Sequence, residues 1–243
     1  MRVLVVDVGG TNVKILASGQ KTPLKFPSGR SLTPRKMVAG IKTLAANWKY
    51  DAVAIGYPGR VHDGRIMVEP HNLGRGWTRF NFGAAFGVPV RIMNDAAMQA
   101  LGSYKSGVML FLGLGTGLGA ALVAEGVVIP MELAHLSFKK GTYEDYLGAR
   151  ALRRLGRKTW QKYVELGMAR MIEAVSPDEV VLGGGNAKKL KKLPAGFRLG
   201  TNACAFNGGF RMWENGLSRR PSARPQSRRG GVRASQRSAG GSR

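Results

Sequence analysis

The apolar residues of this chain fall in short runs, and two pairs of these runs are interrupted in the same way. "RVLVVDV" at residues 2–8 stops at "GGTN" and resumes as "VKILAS", and "VMLFLGLGTGLGAALVAEG" at residues 108–126 repeats this order. Continuous apolar runs of this length predict buried strands, and a glycine-rich turn between two of them predicts a hairpin. Because the hairpins lie about half a chain apart, we expect two similar halves that face each other across a cleft.

The rest of the pattern alternates between helices and strands. Residues 32–48 carry apolar positions at helical spacing after Thr33, which suits a helix cap, and "DAVAIGYPG" predicts a buried strand. Residues 88–93 predict a strand that runs into a helix beginning near Asp95. A long helix is predicted over residues 157–177, and "DEVVLGGGNAKKL" then predicts a strand, a glycine-rich turn and a helix start. This alternation predicts an α/β fold.

The composition is ordinary for a folded protein. Of 243 residues 44% are hydrophobic, and the single cysteine, Cys204, excludes an internal disulfide framework and a cysteine-rich zinc site. The first residues lack the pattern of a secretory signal, so we expect a cytoplasmic protein. The longest apolar window, residues 108–124, contains four glycines, so we expect two strands there and no membrane span.

The charge is strongly basic. Lysine and arginine number 38 against 14 acidic residues, a net charge of +24. Residues 217–243 contain eight arginines, no acid and no aromatic residue, so we expect a disordered tail. Without those eight charges residues 1–216 still carry +16. This excess indicates either a polyanionic partner, such as a phosphate chain, nucleic acid or an anionic surface, or simply a solvated basic surface.

The glycine-rich turns suggest a binding role. Two such turns at one cleft would offer backbone N–H groups to a phosphate chain from both sides, because glycine lets the backbone approach a ligand closely. Lys14 follows the first turn, and the pattern leaves it open whether this side chain clamps phosphate or is an exposed strand lysine. In the two turns, the residues that we expect to bind the phosphoryl donor are Gly9, Gly10, Thr11, Gly115, Thr116 and Gly117.

Seven ordered motifs together resemble one family, the sugar kinases of the ROK type in the superfamily of hexokinase and actin. They extend over most of residues 2–214, and it is their common order that is specific. The motif residues are Asp7, Gly9, Gly10, Thr11 and Lys14; Pro58 and Gly59; Asn72, Leu73 and Trp77; Asn94, Asp95 and Ala96; residues 113–119; Glu132 to His135; and residues 182–185.

The resemblance implies a two-lobed, actin-like (ribonuclease H-like) ATPase fold with the active site in the interdomain cleft. We expect an N-terminal lobe at residues 1–93, a C-terminal lobe at residues 94–216 and the tail at residues 217–243. Two features depart from the family pattern: Ala134 replaces the glycine of the sugar-binding stretch, and the downstream zinc cysteines are missing. The absence of a zinc motif and the short core resemble the polyphosphate glucokinase branch, as do "PDEVVLGGGNAKKL" and "AFNGGFRMWE".

Asp95 is the expected catalytic base. Phosphoryl transfer to a sugar needs a group that takes the hydroxyl proton, and Asp95 lies where a strand enters a helix, at the edge where α/β proteins bind ligands. The rival interpretation is that Asp95 only caps the helix. Gly183, Gly184 and Gly185 resemble the floor of an adenine or outer-phosphate site, although an ordinary strand-to-helix turn has the same pattern.

Recognition of a sugar needs side chains that both donate and accept hydrogen bonds. The resemblance assigns this role to Asn94, Glu132 and His135, with Gly59 and Asn72 either lining the sugar site or turning the chain. His62 and His71 are taken as structural. Asp7 would face the phosphates, where a carboxylate needs a cation between them, so we expect it to hold Mg²⁺ through water.

The expected function is transfer of a phosphoryl group from polyphosphate or ATP to O6 of glucose, with Mg²⁺ and without zinc. Fructose, mannose or an N-acetylhexosamine are alternative acceptors, and a homodimer is left open. Nucleic-acid binding is a distant alternative that would act through the basic surface and tail. "GTGLGA" at residues 115–120 matches a dinucleotide-binding pattern, but a strand-like run follows it where a helix is required, which argues against an oxidoreductase.

Overall fold

The computed structural model describes residues 1–191, 193, 195–201 and 203–214. The predicted disordered tail at residues 217–243 lies outside the described residues. The first part of the chain forms β1 (Val3–Val8), β2 (Asn12–Ala17), β3 (Leu24–Pro27), α1 (Pro34–Leu44), β4 (Ala52–Tyr57), β5 (Val61–His62), β6 (Arg65–Ile66), α2 (Phe82–Phe86), β7 (Val90–Asn94) and α3 (Asp95–Ser103). The second part forms β8 (Val108–Leu114), β9 (Leu118–Ala124), β10 (Val127–Met131), β11 (Ser137–Phe138), β12 (Gly141–Thr142), α4 (Tyr143–Leu147), α5 (Ala149–Val175), β13 (Glu179–Gly183), a 3₁₀ turn (Ala187–Lys189), β14 (Phe197–Leu199) and α6 (Cys204–Arg211).

Two five-stranded sheets repeat one topology. The first sheet has the order β3-β2-β1-β4-β7, and the second has the order β10-β9-β8-β13-β14. In each sheet the three strands that come first along the chain pair antiparallel, and the remaining two pair parallel with the sheet. This repeat confirms the α/β fold and the two similar halves predicted from the hairpins. The lobe boundary after residue 93 stays a prediction.

Local sequence explains where the elements begin and end. The Thr33 side chain accepts a hydrogen bond from the Lys36 N–H at the start of α1, as its cap position predicts. The helix predicted over residues 157–177 is longer than expected, because α5 begins at Ala149 and continues across a break at Gly156, where φ is 72°. The helix start predicted in "NAKKL" is only the 3₁₀ turn, so that prediction was wrong.

Helix α3 lies between the two sheets and packs against both. Met98 and Leu101 join the core of the first sheet, where Val5 belongs to β1. Ala97 joins the core of the second sheet, together with residues of β8, β9 and β13. Each sheet also carries a helix on the side that faces away from α3. Ile41 of α1 belongs to the hydrophobic core on that side of the first sheet, and Trp160 of α5 belongs to the corresponding core of the second sheet.

Helix α6 completes this central layer. Phe206 of α6 packs on β1, and the Arg211 side chain donates hydrogen bonds of 2.7 and 2.8 Å to the carbonyls of Leu101 and Tyr104 at the end of α3. Those carbonyls end a helix and need donors from elsewhere. The two helices touch through backbone, because a side chain at Gly102 or Gly208 would overlap backbone atoms of the other helix. Glycine at these positions therefore fixes how closely α3 and α6 approach.

None of the helices in the described part of the chain is long and apolar enough to cross a membrane.

Gly208→Ala tests the contact between α3 and α6. The new Cβ would overlap the Met98 carbonyl, so the helices must separate, and we expect a loss of about 2–4 kcal/mol in the free energy of unfolding, measured with urea. Gly83→Ala in α2 is the control, since its Cβ has ordinary contacts and alanine favours a helix by up to about 1 kcal/mol. Equal stabilities of the two variants would contradict the role of this contact.

Candidate functional site

The start of α3 lies where the two sheets meet. Strand β7 ends at Asn94 and α3 begins at Asp95, which places this carboxylate at the carboxyl edge of the first sheet. A Cβ built on Gly56 of β4 would lie 3.6 Å from the Asp95 Cα, and one built on Gly119 of β9 would lie 2.7 Å from the Ala96 Cβ. The two glycines thus allow both sheets to approach the first turn of α3.

The structure separates the two roles that the sequence left open for Asp95. Asn94 is the cap of α3, since its side-chain oxygen accepts a hydrogen bond of 3.1 Å from the Ala97 N–H. The Asp95 carboxylate follows the cap and accepts a hydrogen bond of 2.8 Å from the Ala96 N–H. The helix therefore does not depend on Asp95 as its cap.

The environment of Asp95 disfavours its charge. Burial, together with the nearby carboxylates of Asp7 and Glu132, raises the pKa of Asp95 to about 7. Burial also raises the pKa of Asp7, while the positive charge of Lys14 lowers it. Lys14 is paired with Asp7 across β1 and β2, and its Nζ lies 3.6 Å from the Asp7 Oδ2. A carboxyl group that titrates near neutral pH is suited to take a proton in a reaction.

The first glycine loop connects β1 to β2, and its carbonyls accept the hydrogen bonds that hold it in place. Ser28 bonds to it twice, through its hydroxyl to the Gly9 carbonyl at 2.6 Å and through its N–H to the Thr11 carbonyl at 2.9 Å. The Gly9 N–H donates to the Asn12 carbonyl at 3.0 Å and is thus engaged, contrary to its predicted role toward phosphate. Among the described residues, no acceptor bonds to the N–H groups of Gly10 and Thr11.

The second glycine loop connects β8 to β9 in the same manner. The Gly115 N–H is shared between the carbonyls of Gly113 and Gly117, at 3.1 Å from each, so this predicted donor is also engaged. Within the described part of the chain, the N–H groups of Thr116 and Gly117 have no acceptor. Each loop thus presents two backbone donors that lack a protein partner.

Glu144 contacts the second loop and was missed by the sequence analysis. Its carboxylate accepts a 3.4 Å hydrogen bond from the Leu118 N–H and lies against Gly117, where a side chain would overlap it. Its own N–H donates to the Ala134 carbonyl at 3.0 Å, which connects the second loop with the segment that carries Glu132. The capping box of Thr142 and Asp145 could place Glu144 on a first helical turn, but not against this loop.

The third glycine turn, at Gly183, Gly184 and Gly185, lies beside the second loop. The Asn186 side chain donates to the Gly115 carbonyl at 2.9 Å, and Gly184, with φ at 80°, leaves no room for a side chain against Leu114. Gly183 is buried as the last residue of β13, and a side chain there would overlap Phe111. The phosphate role of Gly183, Gly184 and Gly185 stays a prediction, and the structure shows that Gly183 also serves packing.

A pocket of about 320 Å³ lies next to Asn94. Asn94 and Glu132 both line it, and the Asn94 amide donates to the Gly59 carbonyl at 3.1 Å. The structure adds two residues: Arg60, which the sequence analysis missed, and His62, which it took as structural. The pocket is lined by Arg60, Val61, His62, Met67, Asn94, Pro130 and Glu132.

Two predicted sugar residues lie elsewhere. Asn72 is exposed and its Cβ lies beside Gly10, 3.8 Å from where a Cβ on that glycine would be, so it is a neighbour of the first loop. His135 is exposed and is not among the described residues that line the pocket. Leu73 and Trp77 of the same motif as Asn72 are buried and belong to the core.

Comparison with known proteins relates the chain to one family. A model described as the ROK family matches residues 3–130. Polyphosphate glucokinase of Mycobacterium tuberculosis is 28% identical over 214 residues, covering 77% of this chain and 78% of that protein. The bifunctional enzyme NanE/NanK of Brucella melitensis is 31% identical over 156 residues, covering 52% of this chain and 27% of that longer protein.

A solved structure shows the same fold. The inorganic polyphosphate/ATP-glucomannokinase of Arthrobacter sp. strain KM superposes with a TM-score of 0.74 at 21% identity, covering 86% of this chain and 96% of that one. The match to the family takes in more than half of the present chain, including both glycine loops and the start of α3. The protein therefore belongs to the ROK family.

Proposed function

We propose that this protein is a sugar kinase that transfers the terminal phosphoryl group of polyphosphate or ATP to a hexose hydroxyl, with O6 of glucose as the acceptor. The observation that carries the proposal is the position of Asp95. This carboxyl group, whose pKa is raised to about 7, begins the helix that both sheets approach and directly follows Asn94, which lines the pocket together with Glu132.

The geometry suits each step of such a transfer. Asn94 and Glu132 would hold the sugar in the pocket, with the reacting hydroxyl toward Asp95. Asp95 takes the hydroxyl proton as the oxygen bonds to the terminal phosphorus and the bond to the donor breaks. The N–H groups without protein acceptors, on Gly10, Thr11, Thr116 and Gly117, would then bind the phosphate oxygens from both sides.

The residues also fit Mg²⁺, which binds to proteins through one or two carboxylates and otherwise to water and phosphate. Asp7 is a largely buried carboxylate whose charge acts on Asp95, and its only described cation partner is Lys14 at 3.6 Å. Asp7 would hold the hydrated ion, which when bound neutralises charge on the donor phosphates.

Two relatives support the choice of substrates. The relative with the longer aligned segment is a glucokinase that uses polyphosphate, and the solved Arthrobacter enzyme is described as using polyphosphate or ATP with glucose and mannose. The net charge of +24 favours a polyanionic donor, so we propose polyphosphate ahead of ATP.

Formation of a sugar phosphate tests the proposed function directly. The purified full-length protein is incubated with glucose and Mg²⁺, in parallel with ATP and with nucleotide-free polyphosphate, and glucose 6-phosphate is measured. We expect product with polyphosphate. Mannose, fructose and N-acetylmannosamine are tested in the same way, and no product from any sugar with either donor would contradict the proposal.

Asp95→Asn should abolish turnover while leaving sugar binding largely intact, because the amide keeps the hydrogen bond to Ala96 but cannot take a proton. In the wild type, kcat/KM should rise as the pH increases through about 7. Asp51→Asn, which changes a carboxylate paired with Arg2 far from the loops, is the matched control. A kcat within about threefold of wild type in Asp95→Asn would remove Asp95 from the mechanism.

The same residue should cost stability when it is ionised. The pKa of Asp95 is higher in the folded than in the unfolded chain, so stability falls as the pH rises from about 4 to about 7. Asp95→Asn should therefore raise Tm by about 2 °C or more at pH 8 and change it little at pH 4, as measured by calorimetry. Asp51→Asn should have the opposite sign at pH 8, because hydrogen bonds from Arg2 lower the pKa of Asp51 to about 2. A lower Tm for Asp95→Asn than for the wild type at pH 8 would contradict the claim that the ionised Asp95 destabilises the fold.

A further inference from the structure

One side of the second glycine loop carries a group of exposed cations. They lie on the beginning of α5 and on the 3₁₀ turn that follows the third glycine turn. We name this group the basic flank, and its members are Arg150, Arg153, Arg157, Lys158, Lys188 and Lys189.

Hydrogen bonds tie both parts of the basic flank to the second loop. The Ala149 N–H at the start of α5 donates to the Thr116 carbonyl at 3.1 Å. The Asn186 side chain, which precedes the 3₁₀ turn, donates to the Gly115 carbonyl at 2.9 Å. The Arg157 side chain then donates to the Lys189 carbonyl and so joins α5 to the turn. Both segments that carry the basic flank are therefore anchored on the loop and joined to each other.

No described acid forms an ion pair with a cation of the basic flank. The ion pairs among the described residues involve Arg2, Lys14, His62 and Arg198, none of which belongs to it. Asp145 is the acid near Arg150, but its carboxylate accepts hydrogen bonds from Thr142 and makes no ion pair. The residues that the structure does not describe contain no aspartate or glutamate. An anionic ligand would supply the missing charge.

The aromatic rings near the basic flank pack against other rings or are buried. Phe138 stacks on Tyr143 at 4.5 Å, Tyr146 packs on Tyr163 at 4.8 Å, and Trp160 is fully buried. Proteins that bind single-stranded nucleic acid combine cations with aromatic rings on which bases stack. The rings described beside the basic flank are packed against each other, which favours an anion without bases.

We propose that the basic flank binds the phosphates of a polyphosphate chain that extend beyond those held by the glycine loops. This rests on the proposed function, since it concerns the same donor, and it adds a separate binding segment for the distal phosphates. Affinity should then increase with chain length, because each phosphate beyond those held by the glycine loops can contact further cations of the basic flank.

The experiment compares the KM for tripolyphosphate with that for long-chain polyphosphate, at fixed glucose and Mg²⁺, in the full-length protein. Binding of long-chain polyphosphate without sugar is measured in parallel by calorimetry. In the double variant Lys188→Gln/Lys189→Gln we expect the preference for the long chain, as the ratio of KM values, to fall about fivefold or more, and its Kd to rise by a similar factor. The salt dependence of that Kd should also become shallower.

The matched control is Lys42→Gln/Lys49→Gln, which removes the same charge from exposed lysines at the opposite end of the first sheet. An equal effect of the two double variants would show a diffuse field and overturn the proposal, as would displacement of polyphosphate by an oligonucleotide of equal charge at equal concentration. If ATP gives product and Lys188→Gln/Lys189→Gln keeps the wild-type preference for chain length, the proposed role of the basic flank is wrong, while the proposed kinase function remains supported. If no donor gives product, the proposed function fails, and the calorimetric Kd of the variants still decides whether the basic flank binds polyphosphate.

Discussion

The backbone contact between α3 and α6 is the constraint on which the rest of the molecule depends. Gly102 and Gly208 bring the two helices so close that a side chain on either would overlap the other helix. This central layer packs on the first sheet through one set of side chains and on the second through another. Because interiors are close-packed and yield little, the layer fixes where α3 begins relative to both sheets. The position of Asp95 is thus a consequence of helix packing.

The repeated sheet topology supplies the second half of the site. In each sheet the first two strands form a hairpin, and its glycine loop lies at the carboxyl edge of the central strand. In both loops the carbonyls accept hydrogen bonds from other segments and one N–H group is engaged within the loop, which leaves two N–H groups without an acceptor among the described residues. Backbone donors without partners carry a free-energy cost when water is excluded, so a ligand rich in acceptors would relieve that cost. The fold therefore presents the same kind of loop twice, each with two backbone donors that have no acceptor among the described residues.

Charge is distributed unevenly over the molecule. Asp7, Asp95 and Glu132 are close enough for burial and mutual repulsion to act on the pKa of Asp95, while cations without acidic partners border the second loop. The carboxylates suit proton transfer from a sugar, and the cations suit a chain of phosphates. The kinase proposed above needs such an arrangement, with a neutral acceptor bound next to a polyanionic donor. The net charge of +24 would add long-range attraction for that proposed donor.

The sequence by itself determined the elements whose signals are local. Apolar runs, glycine turns and the Thr33 cap predicted both hairpins, α1 and the strand that leads into α3, because strand and helix periods are encoded within a few neighbouring residues. The same signals placed glycine loops and acidic residues in the order of a known family. They failed for the helix start after Asn186, where the chain makes only a 3₁₀ turn against the second loop.

Only the tertiary structure decided which of these residues meet. Asn94 rather than Asp95 became the cap, Glu144 came to lie against Gly117, and His62 reached the pocket while His135 did not line its described wall. The raised pKa of Asp95 likewise comes from its burial between packed elements and from the charges of Asp7 and Glu132, which lie far from it along the chain. Such contacts join segments separated by tens of residues, and their distances depend on how closely two glycine-bearing helices and two sheets pack, which no local pattern records.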